Sequence, residues 1–275
     1  MTANISYEDV GAEAGPTGRL WSERLLWGVA ATLLSAVMSI SLFTGVAQLA
    51  ALETEANDIL RVNLAPRAEA QDPRISIVAL NEKTLAQFPY RSPIDRGLLA
   101  GLMDALREAG ARAVLLDVIF DQSTEPEKDE ALIAAIRRFE GPVVAAWGDH
   151  RSGFIESQSL YIKEFAERAG LELGFANIVY DDDGVVRRFT TRLPGVEKLS
   201  MSGVMAQELT GETPLVDGLI DWRLPRAANV TLFQQLPANA VLSLSARAAT
   251  KVHVDRAMRD RIVFVGADLE QRDRH

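Results

Sequence analysis

Gly110-Ala-Arg-Ala-Val-Leu-Leu-Asp-Val-Ile-Phe120 is the stretch that decides the fold. From Ala113 to Phe120 it is nearly continuous in apolar residues, which is how a strand covered on both faces reads. The residues upstream supply one covering layer. Ile75-Ser-Ile-Val-Ala-Leu80 is a short, β-branched apolar run and predicts a first strand. Ser92-Pro-Ile-Asp95 then opens a helix, with Ser92 as its cap, Pro93 in its first turn and Asp95 at the positive end of the dipole. Ile94, Leu98, Leu99, Leu102, Met103 and Leu106 keep helical spacing, and Gly110 stands where a left-handed residue ends the helix.

Downstream the pattern repeats. A helix is predicted from Pro126 to Phe139, with Leu132, Ala135, Ile136 and Phe139 facing inward, and Gly141-Pro142 closes it. Val143-Val-Ala-Ala-Trp147 follows as a third strand. Strand, helix, strand, helix, strand implies parallel pairing with right-handed crossovers. Further on, Ser159 to Ala169 reads as a helix closed by Gly170. Phe175–Tyr180 and Val185–Thr191 read as a hairpin around Asp181-Asp-Asp-Gly184. Ser202 to Leu209 reads as a short helix, Leu219 to Leu224 as a half-exposed strand, and Arg261-Ile-Val-Phe-Val-Gly266 as a last buried strand. The expected class is α/β: a mostly parallel sheet flanked by helices, with an antiparallel hairpin in the second half, preceded by one transmembrane helix.

That transmembrane helix is Leu25 to Leu52, which contains no Asp, Glu, Lys or Arg and exceeds the ~20 residues that span a bilayer core. Arg19 and Arg24 precede it, and Glu53 and Glu55 follow it. The positive-inside rule then puts the N-terminus in the cytoplasm. A cleaved secretory signal is the rival reading, because Gly45-Val-Ala-Gln-Leu-Ala50 holds small residues a peptidase could accept. A signal's apolar core is usually only ~7–15 residues long, which favours an anchor. The expected organisation is a cytoplasmic tail at 1–24, the span at 25–52, a juxtamembrane connector at 53–72 and a periplasmic domain at 73–275 of an inner-membrane protein. The abrupt end after Asp268 suggests that the natural protein continues.

Composition narrows the partners. The 275 residues carry a net charge of -9, which argues against nucleic acid and against a polybasic lipid-binding face. The absence of cysteine excludes disulfides and thiolate sites. His150, His253 and His275 are too scattered to suggest a metal motif, and no cofactor is implied. There is no Gly-x-Ser-x-Gly, His-Glu-x-x-His, Walker loop or dinucleotide fingerprint.

The ordered blocks carry a resemblance. Asp72-Pro-Arg-Ile-Ser-Ile-Val-Ala-Leu80 comes first, then Arg91-Ser-Pro-Ile-Asp-Arg96, the Gly110–Phe120 stretch and Asp129-Glu-Ala-Leu132. Gly174-Phe-Ala-Asn177, Asp183-Gly-Val-Val-Arg187 and Ile262-Val-Phe-Val-Gly266 complete the set. Over about Asp72 to Asp268 the chain resembles the CHASE type 2 domain, an extracytoplasmic sensory domain of bacterial cyclases, histidine kinases and serine/threonine kinases. It departs from that pattern in having Asn81-Glu82 where the family commonly has an acidic pair, and Phe88-Pro-Tyr90 where tryptophans are common. The family also usually continues to further membrane helices and an output domain. The resemblance implies a sensor, with a class III adenylate or guanylate cyclase as the first expectation for the output and a kinase as the second.

Asp117 is the sharpest candidate for chemistry, a carboxylate within the most apolar strand. Burial there is costly unless the group is paired, and Arg91, Arg96 and Arg187 are its candidate partners. It reads either as half of a structural ion pair or as a ligand-reading or pH-sensitive group. In open parallel sheets, ligands prefer the carboxyl ends of strands. Asn81, Glu82, Asp121, Trp147, Asp149, His150 and Asp268 fall there and suit a small polar ligand or a cation, unless they are ordinary solvated loop residues. Asp181–Asp183 could hold calcium, but Asp-Gly favours a tight turn. The function expected is a sensor that relays through its membrane helix, as a homodimer, a small-molecule or ion stimulus. An anchored periplasmic hydrolase using Asp117, Asp121 and Asp149, or an architectural dimerisation domain, are the alternatives.

Overall fold

The computed structural model describes residues 17–148, 150–227 and 229–269. The chain divides into two compact units, Met1–Leu64 and Ala65–His275. In the first, α1 (Thr17–Leu64) is a single uninterrupted helix of 48 residues. It extends beyond the uncharged run on both sides, so most of the stretch expected as a connector is helix. Of the tail expected at 1–24, residues 1–16 lie outside the described residues, and 17–24 already belong to α1. At about 1.5 Å per residue, α1 is roughly 70 Å long. Its segment Arg24–Leu42, with mean hydropathy 1.9, is long and apolar enough to cross a membrane.

The second unit opens with β1 (Ile75–Asn81), the single-turn α2 (Glu82–Leu85) and α3 (Arg96–Glu108). Next come β2 (Ala113–Leu116), α4 (Pro126–Arg137), β3 (Val143–Trp147), α5 (Glu156–Ala169) and β4 (Glu172–Phe175). A long return segment carries β5 (Arg188–Thr190), α6 (Met201–Thr210) and β6 (Asp217–Leu219). The chain then forms β7 (Gln234–Pro237), α7 (Ala238–Ser245), α8 (Ala248–Met258) and β8 (Ile262–Asp268).

Six strands form one sheet in the order β4-β3-β2-β8-β1-β7, every neighbouring pair parallel. The last strand is therefore central, with Ile75 to Asn81 of β1 along one side and Ala113 to Leu116 of β2 along the other. The connections β1→β2, β2→β3, β3→β4 and β7→β8 all step across the sheet in one direction. Parallel crossovers are right-handed, so steps in one direction place their helices on one face. The main core follows from this: Leu99, Leu102, Met103 and Leu106 of α3, Leu132 and Ile136 of α4 and Val254 of α8 pack with Val78, Leu80, Val114, Leu116, Val263 and Val265. The return from β4 to β7 runs the other way and crosses the opposite face. There Met201 and Met205 of α6 cover Ala113, Leu115, Val144 and Ala146.

Three local expectations change. The hairpin around Asp181–Gly184 does not form. The turn is there, with Gly184 N–H donating to Asp181 O at 2.8 Å, but Glu172–Phe175 joins the parallel sheet and β5 pairs antiparallel with β6 instead. The cap of α3 is Asp95, whose carboxylate accepts from Leu98 N–H at 3.0 Å; Ser92 lies exposed in the lead-in. A carboxylate at this position satisfies an orphan N–H and faces the positive end of the dipole. Leu219–Leu224 is strand only at its first residue, and β7, α7 and α8 were not legible beforehand.

Gly174 records how closely the two layers meet. A Cβ there would stand 2.6 Å from Met201 N and Cα, where Phe175 N–H donates to Leu199 O at 2.9 Å. Gly174→Ala is expected to lower stability by about 1–3 kcal/mol, as overpacking does. Gly218→Ala, in β6 with open space around it, should leave the urea midpoint almost unchanged.

Candidate functional site

The strand-end residues are engaged one by one in local structure. Asn81 caps α2, its Oδ1 accepting from Thr84 N–H at 3.0 Å. Glu82 pairs with Arg91 at 2.7 Å, and Asp121 accepts from Gln158 Nε2 at 2.8 Å. Trp147 stands opposite Phe175, His150 is exposed at the start of a short 3-10 turn, and Asp149 lies outside the described residues. The sheet order spreads this set along its carboxyl edge. It brings Asn81 and Asp268 side by side, while Trp147 stands across β2 and β8.

The burial expected of Asp117 is corrected. β2 ends at Leu116, and Asp117 is exposed just beyond it, its N–H donating to Val265 O at 2.8 Å. Each of the three candidate arginines has a carboxylate within ion-pair distance, Arg91 that of Glu82. Arg187 is buried and meets Asp181 Oδ2 at 3.0 Å and Asp183 Oδ2 at 2.6 Å. Arg96 is fully buried, with Asp129 Oδ1 3.7 Å from its Nε. Its guanidinium lies 4.5 Å from the Phe120 ring centroid, and Phe120 itself stacks on Phe165 at 4.6 Å. Burial pushes the Arg96 pKa down, against the pull of Asp129. Asp129 also accepts from Thr124 N–H at 2.9 Å and Thr124 Oγ at 2.7 Å.

Beside this pair, Lys128 Nζ donates to Asp95 at 2.6 Å and to Glu125 at 3.0 Å, and Tyr90 OH donates to Glu125 at 2.6 Å. The tyrosine bond first, then the lysine, pulls the Glu125 carboxyl down to about 2. The cluster ties the start of α3 to the start of α4. One sequence signal pointed to it: an arginine at the first position of a helix opposes the dipole, so Arg96 needed a reason to be there.

The space for a ligand is on the other face, between the sheet and the return segment. One cavity of about 340 Å³ lies between Leu115 and Phe264 of the sheet and Ile178, Phe189, Met201 and Ile220. A second, of about 270 Å³, is bounded by Ile75, Ile77, Phe233, Gln235, Gly266 and Asp268. Asp117 and Phe264 line both. Strands of a parallel sheet are ordinarily covered on both faces, yet Phe264, on the central strand, is 36% exposed. Among the described residues of the strand-end set, only Asp268 reaches either cavity. Asp117 and Asp121 share neither, so the carboxylate set of a hydrolase is not assembled there.

The second cavity is joined by hydrogen bonds to the chain that leaves α1. Leu224 N–H donates to Pro66 O at 3.1 Å, Ala68 N–H to Leu224 O at 2.9 Å and Asp72 N–H to Leu232 O at 2.9 Å. Gln71 Nε2 adds a bond to Phe233 O at 3.2 Å. Residues 66–72 are thus zipped to 224–233, the strip that leads into β7 and walls the cavity.

The chain thus combines a helix long and apolar enough to cross a membrane with an α/β domain that has clefts on one face of its sheet. The family model of the CHASE2 domain matches residues 30–274, and the chain belongs to that family, whose members are extracellular sensor domains of signalling receptors. No curated protein and no solved structure matches the chain.

Removing one partner of a buried ion pair typically costs about 3–5 kcal/mol. Asp129→Asn should approach that loss in urea denaturation, because it strands a buried guanidinium. Arg96→Met should cost less, since Asp129 keeps its two bonds from Thr124. A pH test applies to the 181–187 turn. The Arg187 bond holds the Asp183 carboxyl down, from 3.8 to about 2. A lowered folded-state pKa adds stability above the unfolded value, and that stability is lost as pH falls through the folded one. The gap in urea midpoint between wild type and Asp183→Asn should be constant above about pH 5 and close between about pH 4 and pH 2.

Proposed function

We propose that this chain is the sensing part of an inner-membrane receptor, with its α/β domain in the periplasm and its stimulus bound between the open sheet face and the return segment. One observation carries the reading: the strip that walls the second cavity is hydrogen-bonded to the residues immediately following α1. A ligand that favours one position of that strip biases the connector. The bias is limited to the ligand's difference in affinity for the two arrangements. Arg19 and Arg24 before the span, against Glu53 and Glu55 after it, support a cytoplasmic N-terminus.

The relay runs through a homodimer, in which paired α1 helices shift or rotate against each other. Small residues at Ala30, Ala31, Ser35, Gly45 and Ala47 permit close approach. The output is a class III adenylate or guanylate cyclase, with a histidine or serine/threonine kinase as the other reading. The family places sensing outside the membrane, which supports either.

The test is a cell reporter of the whole receptor. Ala79 is 3% exposed and lines the second cavity, so Ala79→Leu fills it and should fix output at one level whatever the stimulus. Ala31→Leu or Ser35→Leu should change output while leaving the periplasmic domain's stability untouched. If all three variants respond like wild type, the proposed relay is wrong.

A further inference from the structure

Four adjacent strands each place one residue in a single row on the open face. Gln235 of β7 stands opposite Ile77 of β1, Ile77 opposite Phe264 of β8, and Phe264 opposite Leu115 of β2. Neighbouring strands lie about 4.8 Å apart, so the row runs about 14 Å across the sheet. Three of its four residues are those of a core, yet only Leu115 is buried; Ile77 is half-buried and Phe264 is 36% exposed. The next residues of β1 and β8 on this face, Ala79 and Gly266, stand opposite each other and are small, which leaves depth beside Ile77 and Phe264. Gln235, Ile77 and Phe264 line the second cavity, and Phe264 and Leu115 line the first. The charged residues of the two linings stand off the row. Asp117 and Asp268 lie beyond it, toward the carboxyl ends of β2 and β8, and Arg188 belongs to β5 of the return segment.

An apolar row left open in the middle of a parallel sheet is an uncovered piece of core, and removing its surface from water favours an apolar occupant. The size of the space says which kind. Cavities of about 340 and 270 Å³ match small-molecule sites, which begin at about 300 Å³, whereas a stable protein partner needs about 800 Å² on each side. The first cavity is also lined by Ile178, Phe189 and Ile220 of the return segment, which makes it a cleft rather than an open face. We propose that the two cavities together bind one elongated, uncharged molecule. Its apolar body lies across the strands along Ile77, Phe264 and Leu115, and its polar end lies at Gln235, whose amide can both donate and accept. The proposal rests on reading the open face as the stimulus site and names the chemical class of the stimulus.

Photolabelling of the full chain in maltoside micelles tests it, with an octanol that carries a diazirine as the probe. Labelling of α1 measures non-specific contact with the micelle and should not saturate. The peptides that hold Ile77 and Phe264 should label saturably. Plain alkanols from butanol to decanol should compete, at equal free concentration, about fourfold better per added methylene, the ratio that about 0.8 kcal/mol per buried CH₂ gives. Octanoate and octylammonium should each compete at least tenfold less well than octanol. Two variants, each checked by circular dichroism and melting, separate the parts of the row. Phe264→Asn should weaken every alkanol about tenfold. Ala79→Leu, which fills the second cavity, should leave butanol unaffected and remove the gain of the longer chains. Label confined to α1, a charged amphiphile that competes as well as octanol, affinity independent of chain length, or unchanged competition in both variants would overturn the proposal. So would labelling of the row that appears only on dilution to monomer, which would give the row to a second copy of the chain. These results separate from the receptor test. If Ala79→Leu fixes output but the alkanols do not bind, the ligand class is wrong and the sensing face stands. If they bind along the row but the relay variants respond like wild type, the site stands and the relay fails.

Discussion

A right-handed crossover fixes which side of a sheet its helix must take, and four of the five connections in this sheet step the same way. The helices α3, α4, α5, α7 and α8 accordingly crowd onto one face with a dense apolar core. The opposite face is left to the single return from β4 to β7, a segment with one helix of 10 residues and two strands of 3. That is too little apolar mass to cover six strands. α6 seals the part over β2 and β3, and the clefts open where it does not reach, at Phe264 and along β1. The clefts thus follow from the winding direction rather than from any motif.

The same geometry separates two kinds of electrostatics. On the helix-covered side, charges are held in local pairs: Arg96 is buried against Asp129 and the aromatic stack, and the half-buried Lys128 lies between Asp95 and Glu125. These groups hold helix starts in place and have little freedom to respond. On the open side, Asp117 and Asp268 border a cleft with solvent access. A carboxylate that borders a solvent-accessible cleft avoids the full desolvation of a buried ion. A domain that must be both firm and responsive is well served by this division, and here the sheet itself is the partition.

The sequence made some of this legible. Strands β1 and β3 and the apolar face of α3 could be read from periodicity, because each burial pattern repeats within a single element. The glycine stops at 110 and 170 could be read from local backbone chemistry, and both adopt positive φ. Asp117 was misjudged because periodicity does not say where a strand ends. The run to Phe120 is apolar, but only Ala113–Leu116 pairs as strand, and Asp117 just beyond it is exposed. The stretch from β7 to α8 was hidden because Gln234 and Gln235 are polar residues on an edge strand. The clefts were hidden most deeply. They depend on β8 lying between β1 and β2, a long-range pairing with no local signature.

That pairing also gives the clefts mechanical meaning. β1 and β2 are neighbours in sequence order but do not touch as strands; β8 holds them together through seven residue pairs on one side and four on the other. Phe264 and Gly266 sit on this bridging strand, and Asp117 is bonded to it through its backbone N–H. Adjacent on β1 is the strand that continues directly from the connector zipped to 224–233. A ligand of the kind proposed would, if seated on Phe264, bear on the strand common to both halves of the sheet, one strand away from the segment that follows α1 in sequence. Coupling of about 1–3 kcal/mol between two sites changes affinity roughly 5- to 150-fold. A difference that small can come from a modest shift of the 224–233 strip, so the core on the helix-covered face need not rearrange for a signal to leave the domain.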